Sequence, residues 1–218
     1  MKPKFWLERW QKNQIGFHQA AHNPLLMEYW PTLNLPASAP VFVPLCGKSL
    51  DMQWLAEAGH PVIGVELAQL AVETFFANGP PPSQSSVDRF VCYQRDHTAI
   101  YQGDFFDLTS SMLRDVQGVF DRGSLVALPR DMRFRYVDHM LRIVPDGARI
   151  LLLTLEYDQA QVSGPPHAVQ PEEVESLFGL RCEIQHLETF VTSTLPPHFQ
   201  AQGVRQAAES VFLITKVD

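Results

Sequence analysis

Two short apolar runs, Val41-Phe-Val-Pro-Leu45 and Pro61-Val-Ile-Gly-Val65, flank a stretch of helical spacing at 49–58. No other feature restricts the possible folds so strongly. Apolar runs of this length, bounded by Gly and Pro, read as strands at 41–45 and 61–65. Between them Ser49 is the expected N-cap, Met52, Leu55 and Ala56 share one face, and Gly59 ends the helix. A strand, a helix and a second strand imply a parallel sheet. The turn Leu45-Cys-Gly-Lys48 and the acid Glu66 then fall at adjacent strand tips, where such sheets hold nucleotide-type ligands.

The rest of the chain extends this pattern. Residues 4–12 and 19–30 read as two helices around a kinked link, Asn13-Gln-Ile-Gly-Phe-His18, rich in Trp and Phe. A helix is expected at 67–77. Gly79-Pro-Pro-Pro-Ser-Gln-Ser-Ser86 reads as a flexible linker without regular structure. Residues 89–94 and 98–102 suggest a small hairpin that leaves the core. A short helix near 109–114, a strand at 116–121, the clear helix 130–144, a strand at 149–155 and a helix at 171–178 follow. The last two β runs, 182–191 and 210–217, have no helix between them and so are expected to pair antiparallel at one edge. The reading is α/β, one doubly wound, mostly parallel sheet in a single domain over 1–218. It carries an N-terminal helical lid at 1–35 and an inserted linker and hairpin at 80–102.

Composition excludes several functions. The chain has 218 residues, 45% hydrophobic and 19% charged, and needs no staples to build a core. A net charge of -7 disfavours nucleic acid and anionic membranes as partners. Three separated cysteines without a CxxC pair suit reduced thiols in the cytoplasm. The N-terminus has no signal-peptide core and no run reaches membrane-spanning length. The eight histidines form no metal-binding pattern, so no metal is expected, and each is read as solvated or satisfied.

Gly47 lets backbone approach a ligand where a Cβ would stand off. Glu66 can accept both hydroxyls of a ribose, or simply face a helix N-terminus. The glycine fingerprint of dinucleotide sites is broken, with Pro44, Cys46 and Ser49 in its place, and Phe42 replaces the first Gly of a phosphate loop. Asp104 and Phe105 end another strand, where an acid can accept an adenine amine and an apolar neighbour can cover the ring, or where both can be turn residues. Asp121-Arg-Gly-Ser-Leu125 follows the fourth core strand in place of the Asp/Asn-Pro-Pro-aromatic run of amine methylation, and Arg122 can orient an anionic substrate. The aromatic N-terminus is either core or a lid whose rings attract a sulfonium.

Together these residues resemble the thiopurine S-methyltransferase family. The likeness rests on Gly16-Phe-His-Gln19, Val43-Pro-Leu-Cys-Gly-Lys48, Val62-Ile-Gly-Val-Glu66, Asp121-Arg-Gly-Ser-Leu-Val-Ala127, Glu156-Tyr-Asp158 and Gly164-Pro-Pro166, and spans nearly the whole chain. It implies S-adenosylmethionine as cofactor. Trp10, Leu45 and Gly47 would touch it, Glu66 its ribose, Asp104 and Phe105 its adenine, Arg122 the methionine part and the substrate, and Phe17 the substrate. The implied substrate is a thiopurine or another aromatic or heterocyclic thiol, or a selenium or tellurium compound, methylated by a monomer. The competing readings are a nicotinamide-dependent oxidoreductase and a non-catalytic cofactor-binding protein.

Overall fold

The computed structural model describes residues 3–192 and 197–217. One nine-stranded sheet organises them, in the order β3-β4-β5-β2-β1-β6-β7-β9-β8. Its parallel centre comprises β5 (Thr98–Gln102), β2 (Val62–Glu66), β1 (Val41–Val43), β6 (Gly118–Arg122) and β7 (Arg149–Glu156). At one flank β4 (Phe90–Arg95) and β3 (Ser83–Val87) run antiparallel. At the other, β9 (Ala207–Lys216) and β8 (Cys182–Thr192) also run antiparallel, although a short helix, Pro197–Ala201, which the sequence pattern did not show, lies between them.

Helices cover both faces. On one side lie α2 (Pro24–Tyr29), α3 (Asp51–Glu57) and α4 (Gln69–Phe75), burying Leu26, Met52, Leu55, Val72 and Phe75 against Val43, Val62 and Phe120. On the other, α5 (Arg130–Ile143) and α6 (Pro171–Phe178) bury Tyr136, Val137, Met140, Val174 and Phe178. Each such side chain contributes ~1.5–3 kcal/mol on leaving water. The chain moves outward from β1 toward β2 and β5, then returns to β6 and β7. The switch therefore lies between β1 and β6, which opens a crevice at their C-terminal ends.

Several elements differ from their sequence patterns. The expected helix at 19–30 begins only at Pro24, because Asn23 caps it by accepting from the Leu25 N–H at 2.9 Å. The residue before a proline also resists helical torsions. Strand β1 stops at Val43, since Pro44 has no N–H and Leu45 has φ 44°. Ser49 is not the N-cap of α3: Leu50 takes that position without a side-chain bond. Part of the supposed linker is β3, whose polar, exposed residues give no hydrophobic signal yet pair fully with β4. The supposed hairpin excursion is also corrected. Its second arm, β5, is a core strand whose Thr98–Gln102 pair with Val62–Glu66. The expected helix near 109–114 is a 3-10 turn, Ser110–Leu113.

Candidate active site

The turn after β1 is fixed from three directions. Leu45 and Gly47 both adopt left-handed torsions, φ 44° and 54°. For Leu45 this is strained and persists only where neighbours impose it. They do: the Cys46 N–H donates to the Val65 carbonyl at 2.9 Å, and the Ser124 hydroxyl donates to the Pro44 carbonyl at 2.7 Å. The third tie is Glu66. Its Oε2 accepts from the Gly47 N–H at 2.8 Å and its Oε1 from the Ala68 N–H at 2.7 Å. Buried at 6% exposure, the carboxylate clamps the turns after β1 and β2 together. Burial pushes its pKa up, and the amides of Ala68, Gly47 and Leu67 oppose that rise. Cys46 is packed in the core, its thiol raised well above the ordinary value by burial, as a packing role demands.

Helix α1 (Pro3–Gln11) lies against α4, with Trp10 buried on Ala68 and Ala71. A Cβ added to Gly47 would come 3.2 Å from Cζ2 of Trp10, so the indole roofs the turn. Phe17 packs edge-on against both Trp10 and Trp6, each at 5.8 Å between centroids, and stays 39% exposed. Past this aromatic group the chain is anchored on α3: His22 Nδ1 lies 3.2 Å from the Leu50 carbonyl, and the Asn23 N–H donates to Asp51 Oδ1 at 2.7 Å.

Arg122 closes β6 at the crevice. No described residue hydrogen-bonds to its guanidinium, and Asp51 and Glu209 are the acids whose charge bears on it. Burial lowers its pKa against their pull. The open turn beyond, Gly123 at φ 81°, has nothing within 4 Å of an added Cβ. Asp121, fully buried, points to the other face. There it accepts from the Tyr136 hydroxyl at 2.7 Å and the Leu125 N–H at 3.1 Å, which fixes the strip after β6. Burial raises its pKa to about 6 in spite of those bonds.

The structure thus brings Trp10, Phe17, Leu45, Gly47, Glu66 and Arg122 together at the switch point. Asp104 follows β5, where Oδ1 accepts from the Phe106 N–H at 3.0 Å and caps a short turn. Phe105, the residue expected beside the adenine, opens that turn. It is 2% exposed and packs beside Phe42 and Tyr136, so its ring belongs to the core. Sequence reasoning gave no role to Asp51 or Glu209, and quoted Ser124 only as part of the run after β6. Only the fold brings Asp51 of α3 and Glu209 of β9 toward Arg122.

Comparison with known proteins decides the class. The thiopurine S-methyltransferase family profile matches residues 1–217. The chain belongs to the thiopurine S-methyltransferase family. A thiopurine S-methyltransferase of Nitrosospira multiformis is 49% identical over 215 residues, 98% of each chain. A probable family enzyme of Yarrowia lipolytica is 46% identical over 191 residues, covering 86% of this chain and 89% of that one. Among solved structures, 1,6-didemethyltoxoflavin-N1-methyltransferase of Burkholderia thailandensis, with S-adenosylhomocysteine bound, superposes with TM-score 0.66 at 15% identity, covering 99% of this chain and 87% of the other. A SAM-dependent methyltransferase of Anabaena variabilis gives 0.66 at 11% identity, with 98% and 94% covered. Family and fold together make this thiopurine S-methyltransferase family member a methyltransferase whose donor is S-adenosylmethionine. No helix among the described residues is long and apolar enough to cross a membrane.

Proposed function

We propose that the enzyme methylates the sulfur of small aromatic or heterocyclic thiols, thiopurines among them, and that anionic selenium or tellurium species are further acceptors. The observation that carries this reading is Arg122. A partly buried guanidinium without a hydrogen-bond partner among the described residues, at the end of β6 next to β1, suits an electron-rich, anionic nucleophile.

The residues present fit the donor. Glu66 keeps a second lone pair on each oxygen after accepting the two amides, which leaves capacity for ribose hydroxyls. Space is open beside Gly123. S-adenosylmethionine supplies a methyl group on a positively charged sulfur, the electrophile of the reaction. Trp10 and Leu45 would bound its place at the turn, Asp104 would accept an adenine amine, and Phe17 would meet the substrate. Rings at the mouth attract a sulfonium and exclude water from the anion it meets. Holding nucleophile and methyl in line accounts for up to ~7–11 kcal/mol of the barrier.

A panel of arenethiols, thiopurines, selenite and tellurite with labelled S-adenosylmethionine tests the proposal, read as soluble and volatile methylated products. Methylated thiols are the expected result. Donor binding without product from any thiol would sink the S-methylation reading. Absence of volatile products alone would remove the selenium and tellurium acceptors.

A further inference from the structure

Two opposite charges stand at the C-terminal end of the sheet without pairing. Along β6, Asp121 reaches Tyr136 on the α5 side, so Arg122 projects to the opposite face, where Phe120 packs with α2 and α3. Along β9, Val211 and Leu213 pack on that same face, and alternation places Glu209 there too. The register joins the two strands through β7: Arg122 pairs with Leu153, and Leu155 pairs with Glu209. Two strand spacings across and two residues along put their Cα atoms ~12 Å apart. Leu153 and Leu155 lie between them, and Phe190 pairs with Glu209 from β8.

The other acids of this neighbourhood are satisfied. Glu188, on the same face, accepts from the Tyr29 hydroxyl at 2.6 Å. Asp51 accepts from the Asn23 N–H at 2.7 Å and from the Ser49 hydroxyl at 3.0 Å. Glu209 is half-buried, yet among the described residues no side-chain hydrogen bond reaches it or Arg122, and no ion pair joins the two. Sheltered polar groups of opposite charge, both lacking partners within the chain, suit a ligand that offers an anion to one and an N–H to the other.

We propose that Glu209 selects the acceptor: it takes a ring N–H or exocyclic amine of a heterocyclic thiol whose ionised sulfur faces Arg122. The proposal rests on the S-methylation reading above. A carboxylate accepts such an N–H in a charge-assisted bond, whereas it repels a thiolate that has no donor to offer. The pair therefore favours heterocyclic thiolates over arenethiolates of the same size. Phe190, whose ring meets Tyr29 at 6.1 Å between centroids, sets an aromatic neighbour beside Glu209. Burial pushes the Glu209 pKa up while Arg122 draws it down, as for two groups that face one space.

Two bicyclic thiols of one shape provide the test. Mercaptobenzimidazole keeps an N–H after its thiol ionises, and mercaptobenzothiazole does not. Glu209→Ala is expected to lower kcat/KM on the first by roughly 10–100-fold, the effect of losing a hydrogen bond to a charged group. The loss on the second is expected to be at least about tenfold smaller. Glu209→Gln keeps a carbonyl acceptor and should recover part of the loss. Equal losses on both thiols, or no loss on the first, would overturn the role of Glu209. A matching fall in S-adenosylmethionine affinity by calorimetry would place Glu209 at the donor instead and overturn it as well. A wild type that binds S-adenosylmethionine but methylates neither thiol would overturn the S-methylation reading, and this proposal with it.

Discussion

Replacing Glu66 by glutamine separates a structural clamp from a ligand contact. The Gly47 and Ala68 amides donate to different oxygens of this carboxylate, at 2.8 and 2.7 Å. A glutamine carboxamide has one oxygen and one NH2. Whichever way it is turned, one backbone N–H is left facing another donor. A buried donor without an acceptor costs about 1–3 kcal/mol. Part of that is offset, because burial already disfavours the charge and raises the Glu66 pKa. The expected net loss is about 1–2 kcal/mol without any ligand. For a chain of this size each kcal/mol lowers Tm by ~2–4 °C, so a fall of ~2–8 °C is expected by calorimetry of the free protein. S-adenosylmethionine affinity should fall in parallel, because the turn it meets has moved. A ligand-free Tm equal to or above the wild type would refute the clamp.

Asp121 has a pKa raised to about 6 from 3.8, so the folded state binds its proton more tightly than the unfolded chain does. Stability from this group is complete below about pH 4 and is lost as pH rises through about 6. At ~1.4 kcal/mol per tenfold change in proton affinity the loss reaches ~3 kcal/mol. Asp121→Asn should flatten that slope in urea titrations across the same window, and an unchanged slope would contradict the assignment. Gly47→Ala adds left-handed strain of roughly 1–2 kcal/mol and pushes on Trp10 at 3.2 Å. It should lower both Tm and cofactor affinity, and wild-type affinity by calorimetry would contradict the close roof. Arg122→Ala loses no described hydrogen bond, so stability should stay within about 0.5 kcal/mol while kcat/KM falls at least about 10²-fold. Full activity would remove Arg122 from the site.

His60 shows how a histidine scattered in sequence is held by partners far along the chain. His60 was expected to be satisfied, and it is: Nδ1 meets the Ala39 carbonyl at 2.9 Å, and Nε2 accepts from Trp30 at 3.1 Å. Phe105 had two open readings, ligand cover or turn residue. An aromatic residue after an acid resembles a ligand cover, yet the ring gains more by stacking into the core beneath β1 and α5.

The sequence by itself determined the α/β alternation, the antiparallel end of the sheet, the turn at Gly47 and the acid at Glu66. Those features are local: apolar runs, helical stripes and a glycine act through neighbouring residues. Strand β3 and the core place of β5 were hidden, because their signal is pairing across the sheet rather than burial along the chain. The clamp role of Glu66, the core position of Phe105 and the approach of Glu209 to Arg122 were likewise tertiary decisions. Each depends on which side chain reaches an amide, a ring or a charge after β1, β2, β6 and β9 are laid side by side.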